Sequence, residues 1–217
     1  MRPLNRLCAL IGADRSAVIS VALVALFAVG TAQSEPNARQ PALGGDFTLT
    51  DTSGRPFSLR DVRGKVVLLS FGYTYCPDVC PLTLSRVSRV MKSLGDRAQS
   101  VVPLFVSLDP KRDTPAVLQQ YVRYFDPRII GLTGDKQQLK DVAVRFGVQF
   151  AYHGDPSGDR YTLDHTASLY ILDSRGRIAS IVPYGLPAEH ILQQVIRLLP
   201  KDGGHPLPET QTDRPPD

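Results

Sequence analysis

Two thiols stand four residues apart, Cys76 and Cys80, within Phe71-Gly72-Tyr73-Thr74-Tyr75-Cys76-Pro77-Asp78-Val79-Cys80-Pro81. A thiolate attacks disulfides and also ligates soft metals, so a closely spaced pair suits redox exchange or metal capture. The third cysteine, Cys8, sits in a basic N-terminal flank. It follows Asn5-Arg6-Leu7, which lacks the small residues of a lipoprotein box. Other side chains offer weaker signals. Asp109 and Asp113 could pair as carboxylates, but Asp-Pro and Asp-Thr-Pro are also ordinary turn and cap chemistry, and the cap is favoured. His153 in a polar loop, His190 on the last helix and His205 in the tail read as surface residues.

The elements around the thiols can be read from apolar periodicity. The β-type run Val66-Val67-Leu68-Leu69-Ser70-Phe71 feeds the cysteine stretch. The helical pattern Leu82, Val87, Val90, Met91 and Leu94 leaves it. The thiols therefore belong to a strand-to-helix junction, the functional edge of an α/β sheet. Asp78 is expected to cap the helix, and Pro81 falls in its first turn, where a missing N–H costs little. Cys80 would then lie near a positive helix end that favours its thiolate.

Arg2, Arg6 and Arg15 precede an uncharged apolar run from Ala17 to Ala32. That is the pattern of an export signal or an uncleaved N-terminal anchor, with the domain beyond it on the far side of the membrane. Residues 1–33 are assigned to this leader, 34–44 to a linker, 45–200 to one domain, and 201–217, rich in Pro, Gly and charge, to a disordered tail. The formal charge of +4 is mild and dispersed. No basic stripe interleaved with aromatics points to nucleic acid.

Within the domain the expected order is hairpin (Phe47–Thr50 and Pro56–Leu59), strand, helix, strand (Val101–Leu108), helix, strand (Ile129–Leu132), helix (Asp135–Phe146), hairpin and helix (Pro187–Leu199). Thr114 and Pro115 open the second helix. The Tyr121/Phe125 and Leu192/Ile196 stripes read as core. The last hairpin is Ser168–Leu172 with Ile178–Val182, and a polar loop is expected over Tyr152–Arg160. Alternating strands and helices predict a mixed central sheet flanked by helices. With a dithiol after the first long strand, this is an α/β thioredoxin-like fold with an N-terminal β-hairpin and a membrane-targeting leader.

Three features bear on what the dithiol does. Redox thioredoxins space their cysteines by two residues, whereas three separate Cys76 from Cys80, so both sulfurs can converge on a third body. The segment that faces the dithiol in thioredoxins carries a cis-proline. Here Tyr161-Thr162-Leu163-Asp164-His165-Thr166-Ala167 has none, and His165 occupies the region. Two soft sulfurs and an imidazole suit copper in either oxidation state, while zinc would call for a fourth ligand or a water. Asp164 could orient the His165 ring. A peroxidatic site would need one activated cysteine without a partner at i+4.

The stretches Tyr73–Pro81, Ser107-Leu108-Asp109-Pro110-Lys111-Arg112-Asp113-Thr114-Pro115 and Asp164-His165-Thr166 closely resemble the Sco/SenC family, colinear from Gly45 to Leu199. Tyr75 stands where Phe is common and Leu108 where Val is common, and neither supplies a ligand. The resemblance implies a membrane-anchored copper metallochaperone that delivers one copper to the binuclear site of cytochrome c oxidase subunit II. Its ligands would be Cys76, Cys80 and His165, loaded by an upstream periplasmic copper donor. A bacterial inner membrane, with the domain in the periplasm, is favoured over the mitochondrial inner membrane. The alternatives are a thiol–disulfide reductase that keeps the acceptor cysteines reduced, needing Cys76 and Cys80 but not His165, and a copper or redox sensor.

Overall fold

The computed structural model describes residues 43–200 except 156, 157 and 159. The leader, nearly all of the linker, the tail and His205 lie outside the described residues. Among the described residues no helix is long and apolar enough to cross a membrane.

Two mainly apolar strands are buried along their whole length and set the centre of the sheet. They are β3 (Val66–Gly72) and β4 (Val101–Ser107), in which every residue is buried. A strand that is apolar on both faces must be covered on both, which places it inside a parallel α/β sheet. β3 and β4 pair in parallel from Val66 opposite Val101 to Gly72 opposite Ser107. Around them lie β1 (Thr48–Asp51), β2 (Pro56–Ser58), β5 (Ile130–Thr133), β8 (Ser168–Leu172) and β9 (Ile178–Pro183), in the order β2-β1-β5-β4-β3-β8-β9. β5 runs parallel to β4, whereas β8 is antiparallel to β3, β9 to β8 and β1 to both its neighbours. The sheet is therefore mixed, as expected.

Helices α1 (Val79–Ser93), α2 (Pro115–Phe125), α3 (Lys136–Arg145) and α4 (Ala188–Leu198) complete the fold. Thr114 caps α2 by accepting the Val117 N–H, with Pro115 as first helical residue. Asp135 and Gln138 form a capping box on α3. α1 turns Leu84, Val87, Val90 and Met91 inward but leaves Leu82 exposed, so Leu82 does not belong to the buried stripe. On α4, Ile191 and Val195 are buried, Leu192 packs against the core and Ile196 is exposed. The expectation of Ile196 as core was wrong because the buried stripe is centred one residue earlier.

The larger departure lies after α3. The stretch expected to be loop forms a two-stranded antiparallel sheet, β6 (Phe150–Gly154) and β7 (Tyr161–His165), separate from the main sheet. Its pattern is hidden because the inward positions mix types: Tyr161 and Leu163 are buried and Phe150 and Tyr152 half-buried, between exposed Ala151, His153, Thr162 and Asp164. Between β2 and β3 lies a 3-10 turn, Leu59–Val62, capped by Ser58.

Phe146, fully buried just after α3, sits at the centre of the core. Its ring meets Phe47, Phe71 and Tyr170 at centroid distances of 5.9, 5.8 and 5.6 Å. Phe146→Ala removes a ring from a close-packed cluster and should cost about 3–5 kcal/mol. Thermal unfolding followed by circular dichroism should show Tm lowered by roughly 10 °C. A shift of less than a few degrees would mean that the cluster does not organise the core.

Candidate metal centre

The cysteine stretch is shaped by what surrounds it. β3 ends at Gly72, whose N–H and C=O lie in the sheet and whose missing side chain leaves room for Cys80. A Cβ at Gly72 would stand 2.5 Å from the Cys80 Sγ and 2.9 Å from the Phe105 ring. The chain then turns, with the Cys76 N–H donating to the Tyr73 carbonyl at 3.3 Å, and enters α1 at Val79. Cys80 is buried at the second position of α1, and Cys76 is half-buried on the turn before it. Asp78 precedes the helix but makes no side-chain capping bond, contrary to expectation. Its backbone, at φ −140° and ψ −69°, departs from the extended conformation that capping residues adopt.

A buried carboxylate holds the turn. Asp113 accepts from the Thr74 backbone N–H at 2.9 Å, the Thr74 hydroxyl at 2.6 Å and the Ser107 hydroxyl at 2.5 Å. The expectation of Asp113 and Asp109 as turn-and-cap residues therefore fails. Thr114 supplies the cap of α2, and both carboxylates point inward and are fully buried. Asp109 accepts from the Tyr161 hydroxyl at 2.6 Å and from Arg112 Nε at 2.5 Å. Arg112 also donates to the Tyr161 carbonyl at 2.9 Å and stacks over the Tyr161 ring at 3.6 Å. These contacts dock the β6–β7 hairpin, while Asp113 anchors the cysteine turn, both from the loop after β4.

The hairpin delivers His165. Counting inward from buried Tyr161, the alternation of β7 turns Leu163 and His165 to the same side. The imidazole Nε2 lies 3.4 Å from the Cys80 Sγ, and its Nδ1 lies 3.1 Å from the Thr166 carbonyl oxygen. A carbonyl only accepts, so the Nδ1 contact is made by an N–H, and Nε2 is the nitrogen turned towards the sulfurs. Asp164 does not orient the ring. It points to the opposite side of β7 and pairs with exposed His153 at 2.7 Å. The edge of Tyr73 packs on the imidazole, with centroids 6.2 Å apart at 86°.

Cys76 Sγ, Cys80 Sγ and one His165 ring nitrogen all lie within 4.8 Å of one another. Metal–sulfur and metal–nitrogen bonds of about 2.0–2.3 Å put donors around a trigonal ion roughly 3.5–4 Å apart, so the donor set fits a metal with little rearrangement. His190 is exposed on α4, within reach of Gln194 at 2.6 Å, and stands apart from the group.

The two thiols are electrostatically unequal, in the reverse sense to that expected from the helix end. The Cys76 thiol is lowered to about 3, first by the hydrogen bond from Cys80 and further by His165, against an opposing effect of burial. The Cys80 thiol is pushed up because it donates to Cys76 and because it is buried. Proximity to the α1 N-terminus does not offset these two effects. Without metal the pair shares one proton, held on Cys80, with the negative charge on the more accessible Cys76.

Sequence reasoning missed Gly72, Asp113, Asp109, Arg112 and Tyr161 as the parts that hold this geometry. A signal was available: Thr114 already satisfied the cap of α2, which left Asp113 without a local task at the carboxyl end of a parallel strand.

A thioredoxin-like sheet with a dithiol at its β3–α1 edge and an imidazole brought across from a hairpin defines a class of thiolate–imidazole proteins. Comparison with known proteins gives the family. A profile of SCO1/SenC matches residues 35–200, and the chain belongs to that family. An SCO2-like protein from Rickettsia conorii is 41% identical over 136 residues, covering 62% of this chain and 66% of the relative, just under two thirds of its length. Among solved structures, Bradyrhizobium japonicum ScoI with copper bound superimposes with a TM-score of 0.67 at 38% identity, covering 73% of this chain and all of that one. Yeast Sco1 with copper bound gives 0.66 at 31% identity, covering 72% of this chain and 88% of that one.

Two tests follow from this geometry. In metal-free protein, Cys76 should be alkylated by iodoacetamide at a nearly constant rate from pH 5 to pH 8, since its pKa lies well below the ordinary thiol range. Cys80 should stay unlabelled in mass spectra over the same range. A Cys76 rate rising about tenfold per pH unit up to pH 8 would contradict the assignment. Gly72→Ala should displace Cys80, lowering Tm and allowing Cys80 to label, whereas an unchanged Tm and labelling pattern would show that the close approach imposes nothing.

Proposed function

We propose that the protein is an extracytoplasmic copper metallochaperone. It holds one copper through Cys76, Cys80 and His165 and passes it to the binuclear site of cytochrome c oxidase subunit II. The observation that carries this reading is the convergence of two sulfurs and an imidazole nitrogen from opposite ends of the domain onto one point. Family membership and the copper-bound relatives from Bradyrhizobium and yeast support copper as the cargo. The basic and apolar leader supports an inner-membrane location with the domain in the periplasm, where an upstream donor would load it.

The chain's own groups suggest the order of capture. Cys76, ionised and half-exposed, makes the first bond to incoming copper. Cys80 then gives up its proton and binds as the second thiolate, and Nε2 of His165 completes the set. Transfer reverses the order by exchange with thiolates of the acceptor. A thiolate at the surface suits that exchange better than a closed site would.

Anaerobic titration of the reduced protein should show one copper per chain, with proton release on binding as Cys80 is converted to its thiolate. Cys76→Ser, Cys80→Ser and His165→Ala should each weaken binding by more than about a hundredfold, beyond the loss typical of an outer-shell residue. Unchanged stoichiometry and affinity in all three would overturn the reading.

A second reading rests on the same unequal pair. An accessible thiolate at Cys76 with a buried partner at Cys80 also suits a thiol–disulfide reductase that keeps the acceptor cysteines reduced. Reduction of an oxidised subunit II domain, undiminished in His165→Ala, would favour it.

A further inference from the structure

The β6–β7 hairpin borders a second concave site that contains none of the three donors. Where the hairpin meets α3 and the loop after β4, a cavity of about 290 Å³ opens. Its walls are mainly apolar: Leu108 and Pro110 from the loop, Leu139 from α3, and the rings of Phe150, Tyr152 and Tyr161 from the hairpin. The charged groups that line it are three lysines, Lys111, Lys136 and Lys140, and one carboxylate, Asp109. Asp109 is fully buried, and its oxygens are engaged by Arg112 and Tyr161, so it presents no free anionic face.

Lys111 is held at the rim, donating to the Gly158 carbonyl at 2.7 Å with its ammonium 5.9 Å from the Tyr161 ring centroid. Lys136 and Lys140 differ from it. They stand one turn apart on the same face of α3 and flank Leu139, which is buried at the cavity floor. Both are exposed, and neither ammonium group has an ion pair or hydrogen bond among the described residues. Like charges at this spacing repel, and an anion placed between them relieves the repulsion.

We propose that this cavity binds a small anionic amphiphile, with its apolar body against Leu139, Phe150 and Tyr152 and its carboxylate or phosphate between Lys136 and Lys140. An apolar wall with a few charges on one side is the usual composition of a ligand pocket, and the volume is at the small end of that range, suited to a ring or short acyl chain. Such a ligand would rest on the hairpin that carries His165. The assignment is independent of the metal reading.

The test uses the full chain in phosphatidylcholine nanodiscs, titrated with 2-naphthoate and followed by the amide resonances of Leu139, Phe150 and Tyr152. Saturable shifts at these amides, with half-saturation below about 1 mM, are expected. Affinity should fall at least about tenfold in Lys136→Ala/Lys140→Ala and with uncharged 2-naphthamide, since both remove the ion pairing. The double variant should keep its copper stoichiometry, which separates a lost site from a lost fold. Nanodiscs containing phosphatidylglycerol provide the lipid arm. The same shifts there, reversed by naphthoate, would support the site and identify a headgroup as its ligand, whereas shifts with naphthoate alone would support it with a soluble ligand. Absence of saturable shifts at these amides with either anion, or equal affinity in the double variant, would overturn the proposal.

Discussion

The geometry of the donor group depends on one buried carboxylate. Asp113 accepts three hydrogen bonds, two from Thr74 in the cysteine turn and one from Ser107 at the end of β4. Burial pushes its pKa above the usual carboxylate range, while the hydrogen bonds from Ser107 and Thr74 oppose the rise. The turn from Tyr73 to Asp78 has few backbone bonds of its own, so without this anchor the Thr74 N–H would be left unsatisfied, at a cost of about 1–3 kcal/mol. The sheet registers Gly72 opposite Ser107, which brings the ends of β3 and β4 side by side. Asp113 turns that adjacency into a fixed position for Cys76.

The same loop holds the other half of the site. Asp109 and Arg112 grip Tyr161, and Tyr152 donates to the Leu108 carbonyl at 3.0 Å, so a two-stranded hairpin outside the main sheet is bound to the body by side chains. Strand alternation carries that position along β7 from Tyr161 to His165. A single seven-residue loop, Leu108–Thr114, thus sets the cysteine turn through Asp113, the imidazole through Asp109 and Arg112, and α2 through Thr114. A donor group built this way needs no disulfide to define it, and both thiols remain available.

The inequality of the two sulfurs has the same origin. Gly72 admits Cys80 into the interior, where the thiol form is favoured, while the turn leaves Cys76 at the surface, where it accepts the Cys80 hydrogen bond as a thiolate. The positive end of α1 acts on both residues, and relative burial decides between them. The dithiol therefore has an accessible charged member and a protected neutral one, and the proposed order of metal capture rests on that inequality.

Much was legible from local pattern. Apolar runs marked β3 and β4, helical periodicity marked α1 to α4, Thr114-Pro115 marked the start of α2, and residue chemistry singled out Cys76, Cys80 and His165 before any coordinates. These are properties of near neighbours in the chain, where spacing maps directly onto a strand face or a helix face. What the tertiary structure alone decided were relations between distant segments. The β6–β7 hairpin escaped detection because its inward face mixes two tyrosines, a phenylalanine, a leucine and a histidine, and Tyr161 is held inward by Arg112 and Asp109, some fifty residues away. Asp113 looked like a cap because its partners, Thr74 and Ser107, meet it only through strand pairing. The ionisation order of the thiols was inverted for the same reason. A helix end can be read from sequence, but the depth of Cys80 beneath β3 is set by packing, and packing has the larger effect.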